Sequence, residues 1–175
     1  DVYKRQGADG AQRARMLALA IAGEPAFAVD ERELQRAGPT YTVDTLEEYR
    51  RECGPDRPIV FLCGTDAFAR VETWHRFEAL FALAHFAVAV RAGDAGWQAT
   101  GPGVIPRALW PRVTTGLEDV LSAPGGRIMT FAMTPLAISS TAIRGLAQSR
   151  ASLRYLTPDP VVDYIHQHQL YGTLA

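Results

Sequence analysis

Two short apolar runs separated by a helical stretch constrain the fold of this chain more than any other feature. Residues 58–64, Pro-Ile-Val-Phe-Leu-Cys-Gly, are apolar between a proline and a glycine, and residues 85–90 form a second β-rich run. A continuously apolar strand is typical of a parallel sheet covered on both faces. Residues 77–84 favour a helix, so the order strand, helix, strand predicts an α/β fold with a parallel sheet.

The remaining segments continue this alternation. Periodicity and capping residues predict further helices at residues 11–22, from an N-cap at Thr42 to Gly54, at residues 139–149, and from an N-cap at Thr157 onward. Shorter strands are expected at residues 27–30 and 127–133, whereas residues 93–111 are rich in Gly, Pro and Trp and predict an irregular surface excursion. The fold class is therefore a doubly wound parallel sheet with helices on both faces.

Composition limits the classes of function. The 175 residues suit one domain, and 47% hydrophobic with 21% charged residues predicts a packed core. A net charge of -1 gives no long-range attraction to nucleic acid or anionic lipid, so we expect no nucleic acid and no membrane as partners, and any bound anion must meet a local site. Cys53 and Cys63 lack metal-ligand spacing, and no apolar run approaches the ~20 residues of a membrane span. These features favour a reducing, cytoplasmic location.

The segment with the most chemical information follows the last predicted strand. Residues 134–144, Thr-Pro-Leu-Ala-Ile-Ser-Ser-Thr-Ala-Ile-Arg, place three hydroxyl side chains at a predicted helix start and Arg144 one turn later. Free N–H groups, hydroxyl donors and a guanidinium together predict a phosphate site at the carboxyl edge of the sheet. A serine N-cap followed by a solvated arginine is the alternative interpretation.

The same segment carries a family resemblance. Residues 138–144 match the I-S-S-T-x-I-R signature of the HxGH nucleotidyltransferase superfamily, and residues 38–46, Gly-Pro-Thr-Tyr-Thr-Val-Asp-Thr-Leu, are similar to the G-P-S-Y-T-V-D-T-L of bacterial nicotinate-mononucleotide adenylyltransferases. Residues 73–76 and 155–171 fit that branch too. The chain thus resembles this family over residues 11–171, apart from a weak match at 93–126. The resemblance implies a Rossmann-like fold that transfers an adenylyl group from ATP to nicotinate mononucleotide in NAD synthesis.

The resemblance also implies site residues, all at segment ends. ATP is expected to bind together with Mg²⁺. The residues expected to bind ATP are Gly64, Asp66, Ile138, Ser139, Ser140, Thr141 and Arg144. Those expected to bind nicotinate mononucleotide are Tyr41, Thr42, Trp74, His75 and Arg91. In the family the helix start at Thr42 holds the ring carboxylate and Trp74 stacks on the ring. From the residues alone, a turn and cap, a packed Trp and an Asp helix cap remain alternatives for these positions.

One family feature does not occur in the sequence. The family begins with a strand and a G-G-T-F-D-P-x-H-x-G-H segment, but the histidines here are His75, His85, His166 and His168, and none belongs to a His-x-Gly-His. No catalytic residue or protein-bound metal is therefore assigned. We expect an N-terminally truncated sheet that lacks the first strand or strands and the HxGH-bearing helix, with apolar faces left uncovered.

The domain and function predictions follow from this departure. We expect one domain over residues 1–175, in which residues 1–10 form a leader outside the family pattern, and little or no turnover by this chain alone. A non-catalytic nucleotide-binding module is the alternative from another class. Pantetheine-phosphate adenylyltransferase shares the I-S-S-T signature but not residues 38–46 or Trp74, so it is the weaker alternative within the class.

Overall fold

The computed structural model describes residues 7–91, 105–134 and 136–172, without the Arg91 side chain. The described α-helices are α1 (Gly10–Ala20), α2 (Arg32–Gln35), α3 (Thr42–Cys53), α4 (Thr65–Phe68), α5 (Phe77–Leu83), α6 (Leu117–Leu121), α7 (Ser140–Gln148) and α8 (Asp159–Gln167). The strands are β1 (Val60–Gly64), β2 (His85–Arg91) and β3 (Ile128–Met133), and two 3-10 helices cover Val71–Thr73 and Arg107–Arg112. The chain forms two compact units, residues 1–36 with 136–175 and residues 37–135. One domain over residues 1–175 stays a prediction.

A parallel sheet in the order β1-β2-β3 organises the unit of residues 37–135. Phe61 on β1 lies opposite Phe86 on β2, which lies opposite Ile128 on β3. The strands follow one another in this order because α5 connects β1 to β2, and the crossover returns the chain in the same direction. The predicted parallel α/β fold is confirmed.

One face of this sheet packs into the core. Phe86, Val88 and Ile128 are fully buried, and half-buried Phe61 packs against them. Helices α3 and α5 supply further buried side chains to the same cluster, Val43, Leu46, Leu80 and Phe81. The apolar positions of α3 and α5 therefore face the sheet, as their helical spacing predicts.

On the two outer strands, apolar side chains of the opposite face are exposed. Val60 and Leu62 on β1 are 46% and 63% exposed, and Phe131 and Met133 on β3 are 38% and 44% exposed. Successive residues of a strand point to opposite faces, so these positions share the face opposite the core. The prediction from β1 of a sheet covered on both faces is wrong at these positions, and the expectation of uncovered apolar side chains is confirmed.

The unit formed by residues 1–36 and 136–175 is helical in its described part. Helix α1 begins with a capping box between Asp9 and Gln12, and Met16 packs against the buried residues of α8. Residues 27–30 do not form the predicted strand: Phe27 is 64% exposed, and none of the described strands pairs with them. The N-cap of α8 is Pro158 rather than Thr157. No described helix has the length and apolar character that crossing a membrane requires.

Candidate functional site

The carboxyl ends of the three strands lie at one edge of the sheet. Gly64 ends β1 opposite Ala89 of β2, which is paired with Phe131 of β3, and Arg91 ends β2 opposite Met133. Gly64 is also the N-cap of α4, and no side chain caps that helix. A Cβ on Gly64 would meet no atom within 4 Å, so this backbone is open to close approach. Asp66 follows in the first turn of α4 and is exposed.

Helix α3 starts without a side-chain cap. Its N-cap is Tyr41, which is extended at φ -120° and ψ 142°, and Thr42 is the first helical residue. The predicted N-cap at Thr42 is thus one residue late, because the extended backbone already ends at Tyr41. The carbonyl of Tyr41 accepts from Asp44 N and Thr45 N, but no side chain of the N-cap accepts from the first turn. The positive end of the α3 dipole therefore has N–H groups available for an anion.

Aromatic side chains lie beside this helix start. The rings of Tyr41 and His75 are 4.3 Å apart between centroids with planes at 31°, so the structure brings two predicted nicotinate residues into direct contact. Trp74 is half-buried and meets Phe61 edge-on, with centroids 5.8 Å apart. Part of the Trp74 side chain therefore packs against Phe61, which agrees with the alternative interpretation of Trp74 as a packing residue.

An ion pair that the sequence did not predict holds the two segments together. Arg76 Nη2 donates to Glu47 Oε1 of α3 at 2.8 Å, and both side chains are partly exposed. Arg76 has the left-handed φ of 52°, which is uncommon for a residue with a Cβ. An exposed ion pair contributes only about 0–1 kcal/mol to the free energy of unfolding. The main effect of this pair is therefore to position the turn before α5 against α3. Since 29 residues separate the partners, no local pattern could have indicated the pair.

The hydroxyl segment begins α7, in the other unit. Ser139 is the N-cap and its Oγ accepts from Ala142 N at 3.1 Å, so the capping interpretation of this serine is confirmed. Arg144 Nη2 donates to Thr141 Oγ1 at 3.2 Å, and Ser140, Thr141 and Arg144 are exposed. Ile138 is 39% exposed. One helical turn therefore presents the hydroxyls of Ser140 and Thr141 and the Arg144 guanidinium to solvent.

The predicted site residues thus form three groups. Tyr41, Thr42, Trp74 and His75 lie together at the start of α3 and the turn before α5, whereas Gly64 and Asp66 lie at the end of β1. The residues from Ile138 to Arg144 lie at the start of α7. Arg91 is placed at the end of β2 by its backbone, and its side chain lies outside the described residues. Their individual roles stay predictions.

Burial changes the acidity of one thiol at this edge. Cys63 immediately precedes Gly64 and packs against the core, and desolvation raises its pKa from 9.0 to about 11. A thiol of that pKa is neutral at physiological pH and is a poor nucleophile.

Among the described residues, no group of three or more His, Cys, Asp or Glu side chains could hold a metal ion.

A parallel sheet with helix starts and polar residues after its strands is the arrangement by which α/β proteins bind nucleotides. The model of the cytidylyltransferase-like family matches residues 3–146, which places the chain in that class. Relatives from Dechloromonas aromatica and Laribacter hongkongensis, both named probable nicotinate-nucleotide adenylyltransferase, are 45% and 46% identical. The matches cover 91% and 94% of this chain and 74% and 73% of those proteins. The chain belongs to the nicotinate-nucleotide adenylyltransferase family.

Solved structures show the same fold at greater sequence distance. Nicotinic acid mononucleotide adenylyltransferase of Plasmodium falciparum, in its complex with APC, superimposes with a TM-score of 0.61 at 17% identity. That match covers 94% of this chain and 76% of the other. The complex of the same enzyme with NaAD gives a TM-score of 0.59, also at 17% identity, over 94% of this chain and 75% of the other. The predicted Rossmann-like α/β fold is confirmed by this likeness.

Proposed function

We propose that this chain binds ATP and nicotinate mononucleotide for adenylyl transfer, which yields deamido-NAD and pyrophosphate. The observation that carries the proposal is the uncapped start of α3 beside the contact between Tyr41 and His75 and next to Trp74. An anion acceptor flanked by aromatic rings suits a flat ring that bears a carboxylate. The names of the relatives agree with this substrate.

The start of α3 selects the acid over the amide form of the pyridine ring. N–H groups at a helix start and the positive dipole end stabilise a carboxylate, typically by 0.3–1 kcal/mol near the surface, and gain little from a neutral amide. We assign the main chain at Thr42 and His75 to the carboxylate and the indole of Trp74 to the ring. Tyr41, in contact with His75, orients that histidine.

The ATP side of the proposal rests on the other two groups. We assign Ser139, Ser140, Thr141 and Arg144 to the phosphates, with Ile138 supplying main-chain contact before the helix. Gly64 lets a nucleotide approach the end of β1, and the Asp66 carboxylate accepts hydrogen bonds from ribose hydroxyls. Arg91 is assigned to the phosphate of the mononucleotide. Mg²⁺ enters as part of the MgATP substrate, coordinated by phosphate oxygens.

Within this assignment the chain acts by binding, orientation and charge neutralisation. The attacking phosphate oxygen of the mononucleotide is already ionised near neutral pH, so no general base is required. The α-phosphorus–oxygen bond to pyrophosphate breaks as the new phosphoanhydride bond forms, and Arg144 stabilises charge on the departing phosphates. Stabilisation of the transferring α-phosphate is assigned to the His-x-Gly-His segment of the family, which these 175 residues do not contain.

Product formation tests the reaction. The chain is incubated with MgATP and either nicotinate or nicotinamide mononucleotide, beside a version that carries the HxGH-bearing segment of a family member. We expect turnover by the extended version only, with preference for the nicotinate form. Absence of product from both versions would refute the reaction.

A glycine substitution tests the nucleotide site without disturbing the fold. Gly64→Ala introduces a methyl group with no atom within 4 Å and at an ordinary φ of -84°, so stability should be unchanged. If a nucleotide lies against this backbone, ATP binding measured by calorimetry should weaken roughly tenfold. Gly116→Ala, at the N-cap of α6, is the matched control and should bind as the unmodified chain does. Equal ATP affinity in both variants would remove Gly64 from the site.

A non-catalytic nucleotide-binding module is the second candidate, because the exposed hydroxyls and guanidinium at the start of α7 can hold phosphates without any reaction. Such a module would bind ATP in calorimetry and form no product in either version of the chain. Loss of nicotinate mononucleotide binding in Trp74→Ala, with partial retention in Trp74→Phe, would instead support a substrate site. The two outcomes separate the candidates because a module has no need of the pyridine mononucleotide.

A further inference from the structure

A cavity lies at the opposite end of the sheet from the carboxyl ends of the strands. Its volume is about 490 Å³, within the range of small-molecule sites. It is lined by Ala108, Pro111, Arg112, Ala123, Gly125, Gly126 and Arg127. Arg127 immediately precedes β3, so this cavity is at the amino ends of the strands. No residue assigned to ATP or nicotinate mononucleotide lines it.

The wall formed by residues 123–127 is held in one conformation. His85 Nε2 bonds to the Ala123 carbonyl at 2.8 Å, and the Arg127 N–H donates to His85 Nδ1 at 3.1 Å. Gly126 N donates to Ala84 O at 3.1 Å. A Cβ on Gly125 would lie 2.8 Å from Ala84 N, which only glycine avoids. A wall fixed in this way needs little ordering when a ligand binds.

The charge of the cavity is positive. Its two ionisable side chains are Arg112 and Arg127, and no acidic residue lines it. Arg112 lies 4.8 Å over the Phe81 ring and makes one long bond, 3.4 Å, to the Gly126 carbonyl. In the described part of the chain, the Arg127 guanidinium has no hydrogen bond or ion pair. Both guanidinium groups therefore retain donors for an anion.

We propose that this cavity binds the phosphate group of a small molecule between Arg112 and Arg127. Two guanidinium groups match the several oxygens of a phosphate, and arginine forms paired hydrogen bonds with this anion. The volume exceeds that of a phosphate ion, and Ala108 and Pro111 supply apolar surface for an organic remainder. The site is separate from the proposed reaction and does not depend on it.

Backbone amide shifts test the site directly. The full chain, labelled with ¹⁵N, is titrated with inorganic phosphate and with glycerol 3-phosphate, against sodium chloride of equal ionic strength. We expect saturable shifts of the Gly125 and Gly126 amides with phosphate and not with chloride. Tighter binding of glycerol 3-phosphate assigns the site to phosphate esters, and equal binding assigns it to the free ion. Amides that respond identically to phosphate and chloride would overturn the proposal.

Charge-removing variants locate the bound anion. Arg112→Gln and Arg127→Gln should each raise the Kd for phosphate roughly ten- to a hundredfold, because each removes charge-assisted hydrogen bonds. Arg107→Gln is the matched control: it lies on the same 3-10 helix as Arg112 and does not line the cavity. Arg144→Gln removes the candidate phosphate site on α7 and should leave these shifts unchanged. Unaltered Kd values in Arg112→Gln and Arg127→Gln would overturn the proposal, and the dispersion of the spectra shows that each variant is folded.

Discussion

Arg50 of α3 is predicted to be a principal stabilising side chain of the unit of residues 37–135. Its guanidinium donates to five main-chain oxygens, those of Gly54, Pro55, Arg57, Leu83 and Pro124. The bonds to Leu83 and Pro124, at 2.5 and 2.8 Å, are part-buried and reach 33 and 74 residues along the chain. One side chain thus joins the end of α3 to the end of α5 and to the loop before β3.

The expected loss of stability on replacing Arg50 follows from its bonds to Leu83 and Pro124. A hydrogen bond to a charged group contributes about 1.5–3 kcal/mol net. The three shorter-range acceptors share Nη1, and the bonds to Pro55 and Arg57 are exposed, so this group contributes less. Arg50→Ala should therefore lower the free energy of unfolding by roughly 3–5 kcal/mol, since it also takes away the hydrogen bond of the part-buried Leu83 carbonyl. Arg50→Lys keeps the positive charge but not the planar guanidinium, so it should lower the free energy of unfolding by about half as much as Arg50→Ala.

Urea unfolding followed by circular dichroism measures the effect. Arg51→Ala is the control, because the adjacent Arg51 is exposed and, among the described residues, its side chain bonds only the Glu47 carbonyl of its own helix. It should change the free energy of unfolding by less than about 0.5 kcal/mol. If Arg50→Ala lost less than about 1 kcal/mol, the reasoning from these hydrogen bonds would be wrong. Should Arg50→Ala fail to fold, the Lys variant still gives a measurable difference.

Three further outcomes are expected. Burial raises the Cys63 pKa to about 11, so about one Cys63 thiol in a thousand is ionised at pH 8. Mass spectrometry should therefore show that Cys63 is alkylated about a hundredfold more slowly than a thiol of pKa 9.0. Because the Cys63 thiol holds its proton more tightly in the folded state than in the unfolded state, the free energy of unfolding should fall as pH rises from 9 to 11. Equal alkylation rates of Cys63 in folded and urea-unfolded protein would contradict the burial. Gly125→Ala should destabilise the fold by roughly 1–3 kcal/mol, because its Cβ would lie 2.8 Å from Ala84 N; a melting temperature equal to that of Gly116→Ala would contradict this. His85→Leu should cost roughly 2–4 kcal/mol in chemical unfolding, since both ring nitrogens bond to main chain, and a neutral result would show that the loop adapts.

The sequence predicted the sheet well because each strand has a strong local signal. The apolar runs that became β1, β2 and β3 begin or end within two residues of their predicted bounds, and the regular spacing of Val43, Leu46 and Tyr49 marked α3. Residues 27–30 were predicted wrongly because β-propensity reports a tendency, whereas a strand also requires a neighbour with which to pair. The short helix α6 was not predicted, since five residues carry too little periodicity.

The candidate site was predictable only in part. Ser139 and Arg144 could be recognised because a hydroxyl cap and a basic residue one turn later form a local pattern. The ring contact between Tyr41 and His75 arises from tertiary packing across 34 residues, and the resemblance alone placed both in one site. The pair of Glu47 and Arg76 and the cavity between Arg112 and Arg127 had no local signal, because each depends on where separate segments meet.

The exposed sheet face affects how stability can be measured. Val60 and Leu62 on β1 present apolar side chains on a strand whose second edge has no partner among the described residues. Environment-sensitive dyes that fluoresce on contact with apolar surface should therefore bind the native protein and give a high signal before any heating. A melting curve recorded with such a dye would show a shallow or inverted transition. Intrinsic tryptophan fluorescence, which needs no added reporter, is the appropriate signal for thermal scans of this chain.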